Sequence, residues 1–146
     1  MYERAHHQRI AGVLGRLDGG ILLAAGCYFG GGTAIALRYG EYRESVDIDF
    51  LVSDSGDYRG LRRRIRDAGL SALARPGSDP LVTAADIRTD QYGIRTWIIE
   101  QGVQIKFEIV QESRVSLAPP GRKDFVCGVP SLSPTDLATC KLLAHV

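Results

Sequence analysis

Long apolar runs are missing from this chain of 146 residues. None approaches the roughly 18 residues that a helical membrane span requires. The first residues, Met1-Tyr2-Glu3-Arg4-Ala5-His6-His7, do not lead into the apolar core of a signal peptide. The cytoplasm is therefore the expected compartment, with no membrane partner. An excess of either charge is also missing. Eighteen basic side chains stand against 17 acidic ones, so no global field draws the chain to a polyanion, and any such contact needs a local patch. Cysteine is scarce and odd in number. Cys27, Cys127 and Cys140 have spacings that fit neither a disulfide framework nor a zinc knuckle. They read as small reduced core residues, with Cys140 alone near any chemistry. Repeats and low-complexity tracts are absent too. What remains is a chain that is 45% hydrophobic, enough for one domain with a real core.

The apolar residues Ile10, Val13, Leu14 and Leu17 recur at helical spacing from Glu3 to Leu17, and Asp18-Gly19-Gly20 supplies a stop. Ile21 to Phe29 reads as a buried strand running into Gly30-Gly31-Gly32-Thr33. Good helix formers follow up to Gly40. Ser45 to Val52 is rich in branched residues and predicts a strand, and Asp57 to Ala68 predicts an arginine-rich helix closed by Gly69. From Leu70 to Asp90 periodicity is weak, which predicts a loop with at most one short element. Gln91–Glu100 and Val103–Gln111, separated by Gln101-Gly102, predict a hairpin. Ser133-Pro134-Thr135-Asp136 is a capping pattern that opens a last helix through Lys141. That helix runs apolar to the final residue, so the chain reads as the front part of something longer.

Asp47 and Asp49 are two apart on the predicted strand, so their side chains leave one face while Val46, Ile48 and Phe50 take the other. On the hairpin's second strand, Lys106 and Glu108 likewise lie opposite Ile105, Phe107 and Ile109. If the two strands are neighbours, Asp47, Asp49 and Glu108 converge, and three crowded carboxylates call for a cation. An oxygen-only set favours magnesium, which takes substrate phosphates as further ligands. Upstream, Gly31-Gly32-Thr33 enters a helix whose free amides suit a phosphate. An acidic metal site facing an anion site is what nucleotidyl transfer needs. Other glycine motifs fail: a dinucleotide fingerprint needs glycine where Ile35 stands, and no Gly-Lys-Ser/Thr of a P-loop is present.

Gly31-Gly32-Thr33, Asp47-Ile48-Asp49, Lys106-Phe107-Glu108 and Asp136 to Ala144, in that order, resemble the AbiEii-like nucleotidyltransferase toxins of the polymerase-beta-type superfamily. The string from Tyr28 to Gly40 and Arg43-Glu44-Ser45 before the acids resemble that family specifically. The resemblance implies an α/β (α+β) fold with a mixed sheet flanked by helices, and makes residues 1–146 a nucleotidyltransferase domain. Family members continue into a carboxy-terminal helical region, which this chain is expected to lack. Gly32 and Thr33 would hold the phosphates of a nucleoside triphosphate, Asp47 and Asp49 would ligate magnesium, and Lys106 would meet phosphate. Asp136 and Lys141 would approach the nucleotide, the aspartate as base. Glu108 departs from the aspartate common there. Arg43 and Ser45 are close enough to the acids to touch phosphate or to serve a structural hydrogen bond.

The implied activity is magnesium-dependent transfer of a nucleoside monophosphate to an acceptor hydroxyl by the toxin of a toxin–antitoxin or phage-defence pair, with an antitoxin as partner. A tRNA end, a protein side chain and a small molecule are the acceptor classes. The alternatives are a housekeeping or small-molecule nucleotidyltransferase, and a binding module without turnover. Arg62, Arg63, Arg64 and Arg66 read as a solvated helix face. His6, His7 and His145 read as surface residues without partners, and Asp54, Asp57, Asp86 and Asp90 as turn and cap acids.

Overall fold

The computed structural model describes residues 2–144 as a mixed sheet flanked by helices. Helix α1 spans Ala5–Leu14 and buries His7, Ile10, Val13 and Leu14 on one face. The expected stop after Leu17 is instead the start of a second helix, α2, Gly19–Ala24. Asp18 caps it by accepting the amides of Gly20 and Ile21, at 2.9 and 3.1 Å. A side-chain acceptor before free amides outweighs two poor helix formers over so short a span. The expected strand from Ile21 therefore shrinks to β1, Cys27–Gly30, and runs at once into α3, Gly31–Arg38.

Strand β2, Ile48–Val52, starts three residues later than expected, leaving Asp47 in the irregular segment just before it. Helix α4, Ser55–Ala68, is capped by Asp54, which accepts the Asp57 amide at 2.8 Å. The weakly periodic stretch after it holds a 3-10 turn, Gly69–Leu73, and two short strands, β3 (Val82–Thr83) and β4 (Arg88–Thr89). The hairpin forms as read: β5, Gly93–Glu100, and β6, Val103–Gln111, flank Gln101 and Gly102, whose φ values of 52° and 75° suit the twist of a two-residue turn. A 3-10 turn at Arg122–Asp124 then leads to a small ribbon of β7 (Phe125–Val126) and β8 (Val129–Pro130), before α5, Pro134–Leu143.

The main sheet has the order β1-β2-β6-β5-β3, with β4 also on β5. β2 pairs parallel to β6, and its other neighbours are antiparallel. Alternation makes the sheet two-faced. Ile48, Phe50, Phe107, Ile109, Ile94 and Ile98 join Ile10, Val13 and Leu14 of α1 and Tyr58, Leu61 and Ile65 of α4 in one core. Phe50 is central, its ring centroid 5.6 Å from Phe29 and 5.7 Å from Phe107, in tilted contacts that add to burial. The opposite face carries Asp49, Lys106, Glu108 and Arg95.

Helix α5 is fixed beside α3 by polar stitching. Arg38 pairs with Asp124 at 2.8 Å and donates to the Leu132 carbonyl at 2.5 Å. The Leu132 amide and the Ser131 hydroxyl both donate to the Phe29 carbonyl, at 2.9 and 3.0 Å. Among the described residues no helix is long and apolar enough to cross a membrane.

Truncating Phe50, which is fully buried, opens a cavity beneath the strand that carries Asp49. Phe50→Ala is expected to cost about 3–5 kcal/mol. Urea unfolding followed by circular dichroism measures this, and a loss below about 1 kcal/mol would contradict the packing described.

Candidate active site

Register brings the acids together. Asp49 lies opposite Gly30 on β1 and opposite Glu108 on β6, and Glu108 lies opposite Arg95, itself opposite Arg88. One row across the sheet thus reads Gly30, Asp49, Glu108, Arg95, Arg88. Residues paired this way share a face, so two like charges are neighbours and two arginines follow. Arg95 Nε donates to Glu108 Oε2, and its other arm lies 3.5 Å from Asp90. Asp49 has no such cation bonded to it among the described residues. Burial first, then the charges of Glu108 and Asp47, push its pKa up from 3.8 to about 6, against a smaller opposing pull from Lys106.

The helix start adjoins the same carboxylate. Gly31 has φ 73°, a conformation that side chains resist, and a Cβ there would lie 3.0 Å from Asp49 Oδ2. At Gly32 a Cβ would lie 2.5 Å from Arg43 Nη2. Glycine at both positions leaves the backbone of α3 open between a carboxylate and a guanidinium, and Gly30 at the cap supplies no side-chain acceptor for the first amides. A cleft of about 490 Å³ opens there, lined by Gly31, Gly32, Arg43, Asp49, Arg114 and Lys141, with Leu51, Val110 and Cys140 as its apolar wall. Arg114 is held by both oxygens of buried Glu112, at 2.9 and 2.7 Å. The Cys140 thiol is pushed up, first by burial and then by Glu112 and Asp136, so it stays protonated. A slightly larger groove between α2 and α4, about 540 Å³, contains Asp18, Asp57 and Arg64 but neither the paired acids nor an open helix start.

The remaining expected residues are distributed around this cleft. Thr33 and Ser45 are buried. The Thr33 hydroxyl donates to the Asp47 carbonyl, and its oxygen lies 2.7 Å from Ser45 Oγ. Lys106 borders a separate hollow with Arg88, Arg95 and Trp97. Asp136 lies in the first turn of α5, where its carboxylate accepts the Ala118 amide at 2.9 Å. Asp47 precedes β2, half-buried, near enough to raise Asp49. Among the described residues no three acidic, imidazole or thiol groups form a ready-made metal cluster. Glu108 is a neighbour of Asp49 whose carboxylate is engaged by Arg95.

His7 requires a correction. It is fully buried and bonded to Glu41 and Ser45, whereas the sequence reading placed it on the surface. Its spacing to Ile10 and Leu14 puts it on the core face of α1, a signal that periodicity contained. His6 contacts the Val46 carbonyl at 3.0 Å, and His145 lies outside the described residues. The partner of Glu108 was also recoverable. In a two-residue hairpin at Gln101-Gly102, paired residue numbers have a constant sum, and Arg95 falls opposite Glu108.

Residues 20–146 match the family described as "Nucleotidyl transferase AbiEii toxin, Type IV TA system". Two solved structures from Helicobacter pylori share the fold. One, JHP933, has a TM-score of 0.56 at 17% identity over 99% of this chain and 59% of its own. The other, titled as a candidate nucleotidyltransferase, has a TM-score of 0.53 at 18% identity over 94% of this chain and 56% of its own. The chain thus spans little more than half the length of either. No curated protein matches it in sequence.

An acid that ionises less readily when folded than when unfolded weakens the fold as it becomes charged. Stability assignable to Asp49 is full below 3.8 and is lost as pH rises to about 6. Asp49→Asn is therefore expected to stabilise the metal-free protein by roughly 1–2 kcal/mol at about pH 7.5, and to give no gain near pH 4. Denaturant titrations at the two pH values test this. A loss of stability at the higher pH would contradict the electrostatic assignment.

Proposed function

Because the chain belongs to the AbiEii family of nucleotidyltransferase toxins, we propose that it transfers a nucleoside monophosphate from a nucleoside triphosphate to an acceptor hydroxyl. The observation that carries this reading is the position of Asp49. It adjoins Glu108 by register and Gly31 by contact, in a cleft that also holds Arg43, Arg114 and Lys141.

In this reading the triphosphate enters along the open amides of Gly31 and Gly32, and Arg43, Lys141 and Arg114 offset its charge. Asp47 and Asp49 are the residues that would hold magnesium. The fit rests on the donor set: two oxygen donors, one of them destabilised by its acidic neighbours, with no third protein ligand in place. Magnesium commonly binds through one or two carboxylates and completes its shell with water and substrate phosphate. When bound, it would neutralise phosphate charge and make the acceptor hydroxyl easier to deprotonate. The acceptor oxygen bonds to the α-phosphorus, pyrophosphate leaves, and the acceptor's proton passes to a carboxylate that holds neither the cation nor Arg95, for which Asp136 is the candidate. Asp136, whose Oδ2 accepts the Ala118 amide, keeps its other oxygen for that proton. Thr33 and Ser45 shape the loop before Asp47 rather than face phosphate.

The biological setting proposed is that of a toxin held by an antitoxin, as the family description suggests. The acceptor is one of three classes: a tRNA end, a protein side chain or a small molecule. A binding module without turnover is the second reading, favoured by the engagement of Glu108 by Arg95, which leaves no third free carboxylate paired beside Asp49 among the described residues.

The test is transfer of label from each of the four triphosphates to total tRNA in magnesium. Asp47→Asn is expected to lower transfer about 100-fold or more, the scale seen when a group acting on transition-state charge is removed. Lys141→Ala is expected to weaken triphosphate binding by about tenfold, through loss of one charge-assisted contact. Equal labelling by wild type and Asp47→Asn would remove the catalytic assignment. Triphosphate binding without labelling of any acceptor class would favour the second reading.

A further inference from the structure

Helix α1 lies outside the residues 20–146 that match the family, yet one of its side chains is linked by hydrogen bonds to the backbone that leads into Asp47. His7 is fully buried. Its Nε2 lies 2.9 Å from the Ser45 backbone nitrogen and its Nδ1 lies 2.9 Å from Glu41 Oε1. A backbone N–H can only donate, so Nε2 accepts, and the proton of the neutral ring sits on Nδ1 and points to Glu41. Glu41 also accepts the Glu3 and Arg4 amides, at 2.8 and 3.1 Å, which ties it to the start of α1.

The inner half of the chain is equally determined. Thr33 Oγ1 donates its one proton to the Asp47 carbonyl, so the Ser45 hydroxyl, 2.7 Å away, must donate to Thr33. In this relay from Glu41 through His7, Ser45 and Thr33 to the Asp47 carbonyl, each donor then has one acceptor. The segment between α3 and β2 has no strand or helix of its own across Tyr42 to Asp47, and Arg43 and Glu44 are exposed. Its course depends on these bonds and on the exposed contact of His6 with Val46.

We propose that His7 is a positioning residue for the metal site. By holding the Ser45 amide it fixes the backbone that aims Asp47 and Arg43, and so sets the affinity for a divalent cation. The proposal rests on the reading of Asp47 and Asp49 as metal ligands given above. Two conservative variants divide the ring's two bonds. In His7→Gln the amide oxygen reaches the position of Nε2 and still accepts from Ser45. In His7→Asn the amide reaches only the position of Nδ1, which keeps Glu41 and leaves the Ser45 N–H without its acceptor.

The experiment is manganese binding by isothermal titration calorimetry to wild type, His7→Gln, His7→Asn and Asp49→Asn, with Ser45 amide exchange followed by NMR. Both His7 variants are expected to melt lower than wild type. His7→Gln should bind manganese within about threefold of wild type with slow Ser45 exchange, and His7→Asn about tenfold more weakly with fast exchange. Equal affinity of wild type and His7→Asn overturns the proposal, and so does equal weakening in the two variants, which would make His7 a packing residue only. If His7→Asn does not fold, Glu41→Ala releases the ring from its outer end. About threefold weaker binding is then expected, and unchanged affinity overturns the proposal. Wild type that binds no better than Asp49→Asn would instead remove the metal-site reading, and this inference with it.

Discussion

The parallel pairing of β2 with β6 is the constraint on which the rest depends. It places Asp49 beside Glu108, two like charges on a face that is partly withdrawn from water. Such a pair is costly in the low dielectric of a half-buried surface. The structure offsets one member and leaves the other. Arg95, delivered by the hairpin register, engages Glu108, while Asp49 keeps its raised pKa. Asp49 is thus a carboxylate without a bonded cation among the described residues, beside an open helix start.

The core holds that geometry in place. The Phe29, Phe50 and Phe107 rings make tilted contacts across β1, β2 and β6 on the face opposite the acids, so the strands that set the register are packed together from behind. Arg38 secures the second side of the cleft. Its contacts with Asp124 and Leu132 orient the segment leading into α5 and thus deliver Lys141 to the wall facing Gly31. One face of the sheet supplies rigidity, and the other supplies charge.

Much of this was legible in the amino-acid sequence because it depends on local chemistry. The cap Ser133 with Asp136, the turn Gln101-Gly102 and the glycine passage from β1 to α3 all declare themselves within a few residues. The period-two pattern placed Asp49 on the face opposite Ile48 and Phe50, as β2 has it, while Asp47 falls just before the strand, and the family resemblance joined these pieces. Other features depend on distant partners. Nothing near Asp18 shows that its carboxylate will cap α2 rather than end α1, and the β7–β8 ribbon is anchored to β1 and α3 through its flanking residues Asp124, Ser131 and Leu132. The β2–β6 register couples segments more than fifty residues apart, and its alignment of Asp49 with Glu108 cannot be read from either alone. Lys106 illustrates the limit of pattern. It shares a face with Glu108, yet borders a different hollow from the one that contains Lys141. His7 lay on a core-facing position whose polar partners, Glu41 and Ser45, only the folded chain brings near.

The most direct measurement of the central claim is a carbon-13 NMR titration of the Asp49 carboxyl with and without magnesium and a triphosphate. Without them, Asp49 should titrate at about 6, and with them its midpoint should fall well below that value as a cation takes the place of the missing countercharge. An Asp49 that titrates near the ordinary aspartate value and ignores both additions would contradict the account.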